Sequence, residues 1–346
     1  MKQHLACLIL AATMAMSGTA FALEQPKVYD LKPNERILIL GDSTTYDGTS
    51  HGGYVRLAEQ GIQEQSPDLK VVIRSWGGYG LPLVPENPAK RLPFAEQWKA
   101  LLGHPNAPTT VMINLGLNDS KEGNVPNYEK WLRQYVVELR GIKMNVVLCT
   151  PTLWGGLDQM KPYAEAVRRV ATEMKCPLID LYAAHAAAFE QKKSTRRDGA
   201  HLNMAGEVCS ATAILKAFGL KAEWKKYQLR ITIGREGCAT GIEGGAFGGP
   251  FTGNPKSVLA DPPAQPTPAS ELENPKNLWL ANWSAQQPAY APGTKVTLRL
   301  DPASGRVFHS WTDFQGQIPN NAPETLTITM DEHKWVHLYY KNPPPK

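Results

Sequence analysis

Charge is sparse and nearly balanced in this chain, cysteines are few, and no long apolar run occurs beyond its first two dozen residues. Lys and Arg number 37 against 32 Asp and Glu, a formal net charge of +5. Residues 1–22 hold one lysine and no acid, so the remainder carries 36 bases, 32 acids and a net +4. So mild an excess, with no binding module in view, excludes nucleic acid as the expected partner. The only concentrated basic run is Lys192-Lys193 with Arg196-Arg197, read either as an anion-attracting rim or, preferably, as a solvated loop. After the N-terminus no run approaches the ~18 apolar residues that a spanning helix needs, which excludes a membrane span. None of the five cysteines has a histidine partner at metal-ligand spacing, so neither a metal nor a cofactor is expected.

The apolar run that does exist opens the chain. Lys2 is basic, Leu5 to Met16 is apolar, and Ala20-Phe21-Ala22 fits an A-x-A cleavage site, so residues 1–22 read as an export signal. The mature protein is expected to be secreted or periplasmic. Cys7 lies ahead of the apolar region, too near the start for a lipoprotein box. Export permits disulfides among Cys149, Cys176, Cys209 and Cys238. Cys149 ends one buried strand and Cys176 precedes the next, at opposite sheet ends, so they do not pair. A Cys209–Cys238 bridge and free buried thiols both remain open.

Between residues 36 and 218, short apolar runs alternate with helical periodicity. Strands are expected at 36–40, 70–74, 109–114, 145–149 and 177–181, and helices at 54–65, 92–102, 128–141, 161–174 and 204–218. Continuous apolar strands separated by helices indicate an α/β fold, a three-layer, flavodoxin-like parallel sheet with helices on both faces. Such sheets bind ligands at the carboxyl ends of their strands, near a switch in strand order.

Three polar motifs follow three of those strands. Gly41-Asp42-Ser43 follows Ile37-Leu38-Ile39-Leu40; Ser75-Trp76-Gly77-Gly78-Tyr79-Gly80 follows Val71-Val72-Ile73-Arg74; Gly116-Leu117-Asn118-Asp119 follows Thr109 to Asn114. A fourth, Asp198-Gly199-Ala200-His201, precedes the last helix, for which Asn203 is the expected cap. A serine hydroxyl needs an adjacent base, and the base needs an orienting group. Asp198, three residues before His201, can reach its imidazole within one turn of chain. Acyl transfer also needs donors for the oxyanion, which Gly80 N–H and the Asn118 amide can provide. Taken alone, Gly-Asp-Ser is more often a helix N-cap after a strand; the joint occurrence of the four motifs carries the functional reading.

In this order and at these separations the four motifs resemble the blocks of the SGNH, or GDSL-type, hydrolase family, over roughly residues 35–220. The resemblance implies Ser43 as nucleophile, Asp198 and His201 as the rest of the triad, and an oxyanion hole made of the Ser43 and Gly80 N–H groups and the Asn118 side chain. Ser75 stands where relatives usually carry asparagine, so Gly80 is chosen over Gly77 and Gly78 on the block's glycine alone. The resemblance implies ester rather than amide substrates. Export, the absence of a hydrophobic lid segment and an attached β module point to a carbohydrate O-acetyl esterase acting on a small-molecule or polysaccharide ester. The alternatives are a lipase or lysophospholipase, an acyltransferase with the same triad, and a non-catalytic surface or adhesion protein.

The catalytic domain is expected to span 23–221. Residues 222–275 read as a Gly- and Pro-rich linker, with Trp224 to Ile233 as one more strand packed on either domain. Residues 276–346 read as a small all-β domain: Lys295 to Leu300 and Glu324 to Met330 alternate with period two, and Trp335 to Tyr340 closes it. The order Ala291-Pro292-Gly293-Thr294, Val-Thr-Leu, Phe308 to Trp311 and the Thr-Ile-Thr-Met strand resembles the internalin-type bacterial β-repeat, which implies an accessory or spacing module. Trp279, Trp283, Trp311 and Trp335 are expected in its core more than on a sugar. Oligomeric state is left open.

Overall fold

The computed structural model describes residues 27–76, 102, 103, 105, 107–121, 123–235, 258–260, 289–300, 307–319 and 321–341. The expected export signal, the candidate helix over 92–102 save Leu102, Gly77, Gly78, Gly80, Cys238, Trp279, Trp283 and most of the linker lie outside them.

Five parallel strands form the first sheet: β1 (Arg36–Gly41), β2 (Val72–Trp76), β3 (Thr110–Asn114), β4 (Asn145–Cys149) and β5 (Leu178–Ile179), in the order β2-β1-β3-β4-β5. This is the doubly wound order with its switch between β1 and β3. Successive residues of a strand face opposite sides, and both sides of this sheet are covered. Ile37 and Ile39 pack with α2 (Tyr54–Gln65) and α6 (Met204–Ala217), while Leu38 and Leu40 join the core of α3 (Val125–Gly141) and α4 (Leu157–Glu173). The three-layer expectation is realised, because a strand with two buried faces must read as an unbroken apolar run.

Helix boundaries depart from expectation where caps decide them. α3 starts at Val125 rather than 128 because Asn124 accepts a hydrogen bond from Asn127 N at 3.1 Å. α4 starts at Leu157, with Pro162 inside its second turn. Helix α5 (Leu181–Glu190) was not foreseen: its Ala-rich sequence has no polar face to set a period. Asp180 caps it by accepting from Ala183 N at 3.0 Å, cutting the expected strand over 177–181 to two residues.

The buried His185 of α5 contacts Thr195 Oγ1 at 3.1 Å and Ser210 Oγ at 2.9 Å. Burial, helped by Arg196, pushes its pKa down to about 3, and burial does the same to His333. Unfolded imidazoles take up protons near pH 6.5, so each buried histidine withdraws stability as pH falls from about 6.5 toward about 3. Glu207 acts oppositely: burial pushes its carboxyl up to about 7, so the native state gains a proton before the unfolded chain does. Urea unfolding of His185→Gln is expected to show a pH slope between 6 and 4 smaller than wild type by about 1.4 kcal/mol per pH unit.

Beyond the first sheet, β6 (Tyr227–Arg235), β8 (Ala289–Tyr290), β10 (Val307–Thr312) and β12 (Lys334–Lys341) form a second sheet in the order β10-β12-β6-β8. A third sheet joins β11 (Leu326–Met330), β9 (Thr294–Leu300) and β7 (Val258–Ala260). Most of these pairings are antiparallel, as the period-two pattern predicts, but β12 and β6 run parallel. The strand expected near 224–233 thus belongs to the second sheet. Parallel neighbours need a long connection, here everything between residues 235 and 334.

β6 and β12 are buried on both faces. Leu229, Ile231, Val336, Leu338 and Tyr340 face the β core together with Trp311. On the opposite face Trp335 enters the core cluster of α2 and α6. The described tryptophans of the β unit, Trp311 and Trp335, are therefore core residues, 2% and 1% exposed. Cys149, Cys176 and Cys209 are free buried thiols. No described helix is long and apolar enough to cross a membrane.

Candidate functional site

Ser43 opens the short helix α1 (Ser43–Gly48) directly behind β1. Asp42 is the cap of that helix, accepting from Thr44 N at 2.9 Å and from Thr44 Oγ1 at 2.8 Å. Asp42 thus fills the cap role of the bland reading, and Ser43 is the neighbouring residue, the first of the helix. Gly41 is required by close approach: a Cβ there would lie 1.9 Å from Thr45 Oγ1. Behind α1, Thr45 Oγ1, Tyr54 Oη and Asn114 Nδ2 form a buried triangle, with Tyr54 donating to Thr45 at 2.9 Å and Asn114 donating to Tyr54 at 3.0 Å. It locks the helix to the end of β3. Desolvation keeps Tyr54 protonated by pushing its phenol well above the usual range.

His201 reaches this helix from the loop before α6. Its Nε2 lies 3.2 Å from Ser43 Oγ, and its Nδ1 lies 2.9 Å from Asp198 Oδ2. Asp198 Oδ1 accepts from Ala200 N at 2.8 Å and from His201 N at 2.7 Å. The three-residue spacing is what permits this: one carboxylate oxygen closes the turn and the other orients the ring. Burial would push the Asp198 carboxyl up, but the hydrogen bonds from the His201 side chain and the two backbone N–H groups outweigh it and hold the group well below the usual carboxylate range. Asp198 is therefore ionised throughout the neutral range, as an orienting anion must be.

The loop around this turn is pinned on both sides. Arg196 and Leu202 form an isolated antiparallel bridge, and Asn203 caps α6 by accepting from Gly206 N at 3.0 Å, the role expected of it. Arg196 donates to Gly199 O at 2.8 Å and to Gly155 O at 3.1 Å, tying the loop to the segment after β4. Arg197 forms an ion pair with Asp47 at 2.8 Å and is mostly buried. The basic run therefore divides: Lys192 and Lys193 are exposed, as a solvated loop has them, whereas Arg196 is engaged by carbonyls and Arg197 by a buried carboxylate. Nothing local in the sequence pairs Arg197 with a residue 150 positions earlier.

Asn118 follows β3 on the same sheet edge, after Gly116, whose φ of +131° sets the turn. The register puts Gly41 opposite Asn114, so the chain segments carrying Ser43 and Asn118 leave the sheet side by side. Asn118 is exposed, and Lys121 Nζ donates to its Oδ1 at 3.2 Å. An ammonium can only donate, so the amide's oxygen faces Lys121 and its NH2 is turned elsewhere. Lys121 also lies over the Trp154 ring, 4.4 Å from its centroid. Sequence reasoning did not single out Trp154, for which no motif exists. The structure thus brings Ser43, His201 and Asp198 into direct contact and sets Asn118 on the same edge; Gly80 lies outside the described residues.

A hydroxyl, an imidazole and a carboxylate in series at hydrogen-bond distance can pass a proton from the serine to the ring while it attacks an acyl carbon. Against known proteins, residues 39–208 match the GDSL-like lipase/acylhydrolase family, and residues 281–342 match the divergent InlB B-repeat domain. No curated protein matches the chain. Among solved structures, a catalytic mutant of Axe2, an acetylxylan esterase from Geobacillus stearothermophilus, is similar with 23% identity and a TM-score of 0.47, covering 56% of this chain and 98% of that chain. LAE5, an alpha/beta hydrolase enzyme from the metagenome of Lake Arreo, Spain, is similar with 21% identity and a TM-score of 0.45, covering 54% of this chain and 96% of that one.

Proposed function

We propose that this carboxylic ester hydrolase, whose residues 39–208 form a GDSL-like lipase/acylhydrolase domain, is an exported esterase that removes acetyl groups from carbohydrates, with Ser43, His201 and Asp198 as its triad. The observation that carries the triad is the continuous chain from Ser43 Oγ through both ring nitrogens of His201 to Asp198, at 3.2 and 2.9 Å. Ser43 Oγ attacks the ester carbonyl as His201 Nε2 takes its proton. The oxyanion rests on the Ser43 and Gly80 N–H groups and the Asn118 NH2. His201 then protonates the leaving alcohol, and water, activated by the same imidazole, releases the acid and restores Ser43. Asp198 stays ionised throughout and fixes which ring nitrogen faces the serine.

Three features favour a short acyl group on a polyhydroxylated alcohol. The leader-like residues 1–22 send the chain to where polysaccharides are met. No hydrophobic lid segment is present in the sequence to cover an alkyl chain. The described polar groups support this: Asp198 contacts the His201 imidazole, and the exposed Asn118, with Lys121 on its amide oxygen, follows β3 on the edge of the sheet where Ser43 follows β1.

A chain-length series of p-nitrophenyl esters tests the acyl preference, and acetate release from acetylated xylan tests the alcohol. Acetate is expected to turn over at least tenfold faster than octanoate in kcat/KM, each further mismatch with a small pocket costing about 1–3 kcal/mol. A rate that rises from acetate to octanoate would identify a lipase-type hydrolase instead.

A further inference from the structure

The face of β6 and β12 turned toward the α/β domain is polar and buried. Gln228 accepts from Gly52 N at 2.6 Å and donates to Gln60 at 2.6 Å. Arg230, with no exposed surface at all, donates to Asp47 Oδ1 at 3.0 Å and lies 3.5 Å from Glu207 Oε1. Glu207 in turn accepts from Tyr54 N at 2.9 Å. Thr232 receives the Trp335 indole N–H at 2.7 Å, and the Arg230 guanidinium lies 3.8 Å from the centroid of that indole. Arg197, paired with the second oxygen of Asp47, lies over the same ring at 4.9 Å.

Two cations, two carboxylates and one indole are thus assembled from five separate places in the chain. Two of those places bear on the triad. Asp47 is one helical turn after Ser43 in α1, so it anchors the far end of the helix that begins with the nucleophile. Arg197 immediately precedes Asp198, and its N–H donates to His201 O at 2.9 Å, so its position carries both the acid and the base. Asp47 lies between them, bound on one oxygen to Arg197 and on the other to Arg230.

We propose that Arg230 and Trp335, supplied by the β unit, are positioning residues of the esterase: through Asp47 and Arg197 they hold the helix of Ser43 and the loop of His201 at their mutual distance. The β unit is then part of the catalytic scaffold rather than a detachable spacer. Stacking suits the task, because a planar guanidinium over a fixed indole turns one terminal nitrogen to Asp47 and the other toward Glu207 in one orientation. The inference rests on Ser43 and His201 acting as nucleophile and base. Comparing wild type with Ser43→Ala establishes that premise separately, before any Arg230 variant is measured.

The test uses full-length Arg230→Met, which keeps an apolar stem against Trp335 and removes the charge, beside Arg230→Lys, which keeps the charge. With p-nitrophenyl acetate, at a temperature where circular dichroism shows the variants folded, Arg230→Met is expected to lose about 10- to 100-fold in kcat with KM within twofold. Arg230→Lys is expected to recover a substantial part of that loss. A folded Arg230→Met whose kcat stays within twofold of wild type, whatever its melting temperature, overturns the proposal and leaves the cluster a purely structural joint. Should Arg230→Met fail to fold, Arg230→Lys and Trp335→Phe decide: a kcat fall of threefold or more at constant KM supports the proposal, and unchanged kcat in both overturns it.

Discussion

Alanine in place of Ser43 or His201 is expected to reduce kcat on p-nitrophenyl acetate by roughly 10⁶-fold, and Asp198→Ala by about 10⁴-fold, the pattern found where nucleophile, base and orienter act as one unit. The inequality follows from the geometry. In the proposed mechanism Ser43 and His201 make and break bonds to the moving proton, whereas Asp198 orients a ring that also has the surrounding loop to hold it. The losses should not add: once Ser43 is gone, removing His201 costs nothing more, because the base has nothing to deprotonate. Steady-state kinetics on the three single variants and the Ser43→Ala, His201→Ala double variant check this. A double variant losing the product of the two single factors would mean that they do not share one proton path, and the proposed triad would fall.

Asn118→Ala is expected to lose about 100- to 1000-fold in kcat, with little change in KM, the usual cost of one oxyanion donor. The split matters because an oxyanion donor is most needed when the carbonyl oxygen becomes an anion, not when the ester first binds. Lys121 adds a second check. Its ammonium holds the oxygen end of the Asn118 amide at 3.2 Å, which leaves the NH2 end to donate. Asn118→Asp offers an acceptor where a donor is required, so it should be at least as damaging as alanine. An Asn118→Ala enzyme with wild-type kcat would remove this residue from the oxyanion hole.

What was legible in the sequence was whatever short-range spacing could encode. The strand behind Ser43 reads as a continuous apolar run because both of its faces are buried, and the Asp198–His201 pair reads as a unit because three residues span one turn. The parallel sheet followed from the same apolar runs; its strand order, with the switch between β1 and β3, did not, because no local pattern says which strands are neighbours. Helix α5 escaped because an alanine-rich helix has no polar stripe, and its only signal, the Asp180 cap, also fits the end of a strand. The Asn114, Thr45 and Tyr54 triangle escaped because its members lie as much as 69 residues apart and each fits an ordinary strand or helix position. Arg230 escaped for a stronger reason. In sequence it is one charged residue in an alternating strand, the usual mark of a solvated face, and only the docking of that face on α1 and α6 gives it partners 183 and 23 residues away.

The parallel pairing of β6 with β12 sets an order of events for the growing chain. β6 follows the α/β domain almost at once, but its partner emerges only after the rest of the β unit, and Gln228 N meets His333 across a separation of 105 positions. Closing so long a connection is a slow, entropically costly step. Until it closes, Trp335 is absent from beneath both guanidinium groups, and Asp47 and Glu207 face a strand that has no neighbour on that edge. A chain halted by ribosomal arrest before β12, or clipped between β6 and β12 by a protease, would keep every residue of the triad and still lack the support beneath Arg197 and Arg230. On the proposed triad and the proposed role of Arg230, strand β12 would serve as a completeness check on a site whose nucleophile, base and acid lie within the first 201 residues.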